Sequence, residues 1–218
     1  MRSLKSIAWK MRGLALGAVV SVCLNSLLIL AEWSAVSPNG SGNGLMYSAV
    51  MLGGPLIVAI LGIPVALIRL IPKKTRESAF IWSGICLSYM AVFLVCAGIS
   101  GRIRMRAFER LAERSAPLVQ AIRKYESDHK YPPDKLADLV PDYLPEIPRT
   151  GMGAYPEYEY HVGSDIWVCT RNKWILKVFT PSGLINFDMF VFFPDGNYPE
   201  YGFGGYFERV GDWAYCHE

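Results

Sequence analysis

Residues 79–100 read AFIWSGICLSYMAVFLVCAGIS, and residues 101–129 continue GRIRMRAFERLAERSAPLVQAIRKYESDH. The change of character at Gly101 decides the fold. The first stretch has no charged residue and is long enough to cross a hydrocarbon core of ~30 Å, which takes ~20 apolar residues. In the second, Leu111, Leu118, Ile122 and Tyr125 recur at offsets of seven, four and three, so they share one helical face among charges. The two stretches predict one long helix that leaves an apolar environment and becomes amphipathic. Pro117 lacks an amide proton and crowds the preceding turn, so it predicts a bend or a restart there.

Toward the N-terminus, Gly13–Ala31 and Leu45–Ile68 repeat the apolar signature. One such run fits a buried core helix; three in the first hundred residues predict membrane spans, with the lipid bilayer as a partner. Residues 1–100 are therefore read as a three-helix transmembrane anchor and 101–218 as a separate domain. Arg2, Lys5, Lys10 and Arg12 also resemble the basic region of a secretory signal, with a cleavage site to be sought near Ala31. The length of the run and the two spans after it favour retention. The whole chain agrees, with 52% apolar and 19% charged residues against the ~25% charged of soluble domains. Its net charge of +3 gives no basic footprint for nucleic acid. No Asp, Glu, Lys, Arg or His lies within the three span cores, which weakens an ion or proton pathway.

Orientation follows from Lys and Arg near the span ends. Four flank the first span, none lies in the loop 32–44, and Arg69, Lys73, Lys74 and Arg76 surround the second loop. The expectation is a bacterial-type inner-membrane protein, multi-pass, with its N-terminus cytoplasmic and its C-terminal domain periplasmic. Arg102, Arg104, Arg106 and Arg110 oppose it, because they fall on the predicted outer side. Trp9, Trp33 and Trp82 sit near span ends, where indole favours the interface. Gly13/Gly17, Ala49/Gly53 and Gly84/Ser88 have the spacing that lets helices approach closely. Pro55 and Pro64 predict kinks in the second span.

Beyond His129, Pro132-Pro133 ends the long helix, and a short helix is predicted over Pro133–Leu139. Strands are expected at Glu157–Val162, Ile166–Thr170, Trp174–Thr180, Met189–Phe193, Tyr206–Val210 and Trp213–Cys216. Pro181-Ser-Gly183 and Pro194-Asp-Gly-Asn197 are turn signals. A long helix followed by consecutive strands makes the fold class α+β, with the helix packed on an antiparallel sheet.

Tyr125-Glu-Ser-Asp-His-Lys-Tyr-Pro132, then Leu136, Leu139, Pro141, Tyr143-Leu144 and Ile147-Pro148, resembles the region after the long helix in type II secretion pseudopilins and related pilin-like proteins. Asp212-Trp213-Ala-Tyr215 resembles the close of such domains. The resemblance covers about residues 104–218 and implies a pilin-like domain. It differs in two respects. Lys130 stands where those proteins usually have glycine; nothing like Gly-Phe-Thr-Leu-Ile-Glu precedes Ala79–Ser100, and that span carries no acidic residue. The resemblance thus implies a displayed domain rather than a filament subunit.

No HExxH, CxxC, Walker A loop or GxSxG elbow occurs. The three histidines, His129, His161 and His217, lack metal-ligand spacing. Gly202-Phe-Gly204-Gly205 is read as a turn. Asp195, Asn197 and Glu200 offer hard oxygen ligands suited to calcium, and some major pseudopilins bind calcium in a loop near this region. A plain Pro-Asp-Gly-Asn turn explains the same residues. Cys169 and Cys216 are a candidate disulfide if the domain faces an oxidising compartment, and two thiols if it faces the cytosol. Tyr198, Tyr201, Phe203, Tyr206, Phe207, Trp213 and Tyr215 crowd the last strands, as sheet core or as a partner or glycan platform. The leading expectation is a non-enzymatic structural or interaction protein with a protein partner in an envelope or secretion assembly. The alternatives are an envelope sensor of calcium or another ligand, and a hydrolase using Asp188, Asp195 or Asp212.

Overall fold

A computed structural model describes residues 2–163, 172–184, 186–202 and 204–217. The strand expected at Ile166–Thr170, and Cys169 with it, lie outside the described residues. The chain divides into two compact units, Met1–Glu32 with Asn43–Ile103, and Trp33–Gly42 with Arg104–Glu218.

Three long helices run through the chain: α1 (Arg2–Val36), α2 (Gly44–Leu70) and α3 (Arg76–His129). Each is long and apolar enough to cross a membrane. In the first unit, Gly17 lets α1 approach α3, because a Cβ there would stand 2.9 Å from Ile85 Cγ1. Gly62 does the same for α2, against Cys86 Sγ at 2.7 Å. Gly17 belongs to an expected small-residue pair; Gly62 does not, and Gly13 and Gly53 meet nothing within 4 Å. Where kinks are expected, α2 contains two π-helical turns, Ala49–Gly53 and Val58–Gly62. Each is followed within two residues by a proline, Pro55 or Pro64. A widened turn makes room for the ring and for a carbonyl that no amide can reach.

Helix α3 has 54 residues, about 80 Å at 1.5 Å per residue. It continues through Pro117 without a restart. Within the second unit its apolar face is as the periodicity predicts: Leu111, Leu118 and Ile122 are fully buried, and Tyr125 packs at the margin. Phe108, three residues before Leu111, extends that face.

Opposite it lies a curled antiparallel sheet. Its strands among the described residues are β1 (Glu159–Val162), β2 (Trp174–Phe179), β3 (Met189–Phe192), β4 (Tyr201–Gly202), β5 (Gly205–Val210) and β6 (Trp213–His217). Their order is β1-β2-β3-β6-β5-β4, with every neighbouring pair antiparallel. The fold class is therefore α+β. The core-side face carries Leu176, Val178, Phe190, Phe192, Trp213 and Tyr215. Phe108 stacks on Phe190 at 4.7 Å between ring centroids, and Phe190 on Trp213 at 5.0 Å. The other face has its own cluster, Ile175, Val191 and Phe193, capped by Tyr198 and Phe207. Two-sided burial explains the near-continuous apolar reading of β3.

Two local expectations need correction. The segment predicted as a helix over Pro133–Leu139 is a single 3₁₀ turn, Leu136–Leu139, preceded by an extended Lys135. Asp138 accepts a hydrogen bond from the Lys135 amide and closes the turn. The glycine-rich stretch also contains more than a turn. Tyr201 pairs with Tyr206 and Gly202 with Gly205, so β4 and β5 form a hairpin, with Gly204 at φ +88°, where a Cβ would be crowded.

Candidate functional site

A buried polar network lies between α3 and the sheet in the second unit. Arg104 is only 5% exposed. Its Nη1 donates to the Thr180 carbonyl at 2.8 Å and to the Tyr215 hydroxyl at 3.4 Å, and stands 4.0 Å from Asp188 Oδ2. Its Nη2 donates to the Tyr155 hydroxyl at 3.4 Å, and that hydroxyl donates to the Pro181 carbonyl at 2.7 Å. Tyr215 in turn donates to Asp188. A guanidinium and a carboxylate removed from water must be paired and hydrogen-bonded, or the fold loses several kcal/mol. Here both conditions are met. Burial pushes the Tyr215 hydroxyl well above its ordinary value, and the Asp188 carboxylate adds to this against the opposing Arg104 charge. The network joins α3 to the β2–β3 connection and to β6; its chemistry is that of a clasp.

The motif carrying the pilin-like resemblance gathers at the C-terminal end of α3. Tyr125 stacks on His129 with centroids 4.1 Å apart and meets Tyr143 at 5.3 Å and Tyr131 at 6.3 Å. The Tyr143 hydroxyl donates to Asp128 Oδ2 at 3.0 Å. Leu139 is fully buried, and Leu136, Tyr143, Leu144 and Ile147 pack against the core around it. Lys130 closes the helix with φ +72°, its amide donating to the Glu126 carbonyl at 2.8 Å. This left-handed cap favours glycine. One turn earlier, Glu126 accepts from Lys173 Nζ at 2.8 Å and from the Trp174 indole at 3.2 Å. Burial alone would raise the Glu126 carboxyl, but these bonds with the Lys173 and Arg123 charges hold it below its ordinary value.

Asp195 and Asn197 lie exposed in the turn after β3. The Gly196 amide donates to the Phe193 carbonyl at 3.0 Å, closing the turn. Asn172 braces it, its Oδ1 accepting from the Asp195 amide at 3.1 Å and its Nδ2 donating to Asn197 Oδ1 at 2.7 Å. Glu200 lies just before β4, where its carbonyl accepts from the Phe207 amide. Among the described residues no three His, Cys, Asp or Glu side chains are grouped to hold a metal ion. Of the carboxylates considered for hydrolysis, Asp188 is buried in the network, Asp195 is in this turn, and Asp212 is exposed between β5 and β6. Cys216 is buried on β6, its Sγ 3.6 Å from the Gly202 carbonyl.

The crowded aromatics divide between roles. Trp213 and Tyr215 are core, Tyr198 and Phe207 cap the opposite face, Tyr201 and Tyr206 remain exposed, and Phe203 lies outside the described residues. Burial pushes the Tyr198 hydroxyl up to about 12, where it donates to the Asp212 carbonyl at 2.7 Å. Sequence reasoning missed Arg104, Tyr155 and Phe108. No family model, curated protein or solved structure matches this chain.

Proposed function

We propose that the chain is a three-span membrane protein that displays a pilin-like α+β domain on the extracytoplasmic side. Its role is structural or interactive, docking a protein partner in an envelope or secretion assembly. One observation carries the membrane part of this reading. The three long helices keep large apolar residues on their outside, among them Leu16, Ile57, Ile60, Leu87 and Leu94, each at least half exposed. A surface of that kind calls for lipid.

Several details support the topology. Lys10, in the N-terminal flank, pairs with Glu77, after the second loop, at 2.6 Å, as expected if both occupy one side. The Gly153 amide donates to the Ser37 carbonyl at 2.8 Å, and the Ala154 amide to Ala35 at 3.1 Å. These bonds support a common side for the end of α1 and the C-terminal domain, as two intervening crossings would require. Trp9 and Trp33 are 24 residues apart, about 36 Å along a helix, close to the distance between two membrane interfaces. The pilin-like part rests on the α3 helix packed on an antiparallel sheet and on the motif gathered at the helix end.

Paired fusions after Glu218 test the reading, one to alkaline phosphatase and one to a green fluorescent protein. Phosphatase activity without fluorescence is the expected result. Fluorescence without phosphatase activity puts the domain in the cytosol and removes the envelope role.

A further inference from the structure

Gly17 and Gly62 let α1 and α2 each close on α3, at Ile85 and Cys86. Between α1 and α2 a groove of about 530 Å³ remains, with α3 on its third side. It lies wholly within the first unit. Short connections make successive helices antiparallel, so Gly13, Val65 and Trp82 set one end of the groove and Ser21, Ile57 and Tyr89 the other. From Gly13 to Ser21 is about 12 Å along α1, close to half of a ~30 Å hydrocarbon core. The walls are apolar. Leu16, Val20 and Leu61 stand exposed along them, and the Ser21 hydroxyl is turned back onto the Gly17 carbonyl at 2.7 Å.

We propose that this groove holds one acyl chain of an anionic phospholipid from the leaflet at the N-terminal end of α1, with the lipid phosphate held by Arg12 and Arg69. The proposal rests on the reading of the three helices as membrane spans. Arg69 follows Val65 by one turn, and its guanidinium stands 5.4 Å from the centre of the Trp82 ring, which places a cation at the mouth of the groove. Arg12 lies one turn before Leu16, on the same face of α1. Glu77 lies toward this end, but its carboxylate is already paired with Lys10 at 2.6 Å. Among the described residues no ion pair engages Arg12 or Arg69. A guanidinium presents paired N–H donors that suit a phosphate, and basic pockets between spanning helices take anionic head groups. The size favours a chain over a neighbouring helix. Spread along about 12 Å, 530 Å³ gives a cross-section of about 44 Å², roughly half that of a helix ~10 Å across.

The test uses the full chain purified in dodecyl maltoside and titrated with dioleoyl phosphatidylglycerol or dioleoyl phosphatidylcholine, with bound lipid counted by native mass spectrometry. One phosphatidylglycerol per chain is expected, held at least about fivefold more tightly than phosphatidylcholine. Arg12→Gln combined with Arg69→Gln removes that preference. Leu61→Trp fills the groove and weakens retention about tenfold, whereas Leu87→Trp, exposed and outside the lining, changes nothing. If circular dichroism shows that Leu61→Trp loses helix, Val20→Trp on the opposite wall serves instead. Equal retention of the two lipids, a preference that survives the double arginine variant, or retention indifferent to both wall variants overturns the proposal. So does equal binding of glycerophosphoglycerol, which carries the phosphate without the chains. Any of these in a chain that still floats with liposomes leaves the membrane reading intact; a chain that does not float removes both.

Discussion

Lys130 holds a left-handed backbone conformation at the end of α3, with φ +72°, and replacing it separates the terms that set a helix cap. A Cβ in that conformation costs roughly 1–2 kcal/mol, which glycine avoids. Glycine also gives the unfolded chain more freedom, offsetting ~0.4–1 kcal/mol. The lysine contributes a bond from Nζ to the Ser127 carbonyl at 2.9 Å in an exposed position, with a favourable charge at the helix terminus of a few tenths of a kcal/mol. Alanine removes the lysine's contribution but keeps the Cβ. Lys130→Gly should therefore be more stable than Lys130→Ala by about 0.8 kcal/mol, and more stable than the natural chain by about 0.5 kcal/mol. For a domain of this size the first difference is about 4 °C in midpoint. The assay is thermal unfolding of the full chain in nanodiscs, followed by near-UV circular dichroism of the buried aromatic stack. Equal midpoints for the glycine and alanine variants, or a lower one for glycine, would refute the reasoning.

Two further perturbations bear on the buried groups. Asp188→Asn leaves the Arg104 guanidinium buried without its carboxylate, so a loss of about 3 kcal/mol is expected; a urea midpoint unchanged from the natural chain would count against the clasp. Glu126 has a depressed carboxyl, so its contribution is complete above the ordinary carboxylate value and is lost as pH falls through the depressed one. Glu126→Gln should cost about 1 kcal/mol at pH 7 and progressively less on acidification. A difference that stays constant down to pH 2 would exclude the carboxylate as its source.

Much of this architecture is written locally in the chain. The uncharged runs give the three apolar helices by length alone, and Leu111, Leu118 and Ile122 give the buried face of α3 by spacing. What escaped is non-local. Phe108 sits among Arg102, Arg104, Arg106 and Arg110, so its place on the apolar face is obscured by charge. Arg104 reads as a surface residue because an isolated arginine usually is one; its partners Thr180, Asp188 and Tyr215 lie 76 or more residues away. The β4 strand has two residues, too few for a periodic signal.

The strand order has a kinetic consequence. β1, β2 and β3 form one meander and β4, β5 and β6 another, each made of sequence neighbours. Among the described residues only the pairing of β3 with β6, which includes Phe190 opposite Tyr215 and Phe192 opposite Trp213, joins the halves. That seam must wait for β6, which follows β1 to β5 in the chain, and closing it over a longer loop is slower than zipping either meander. Until then, both halves present an open edge and unburied aromatic rings, which is when a domain of this design is most exposed to wrong partners.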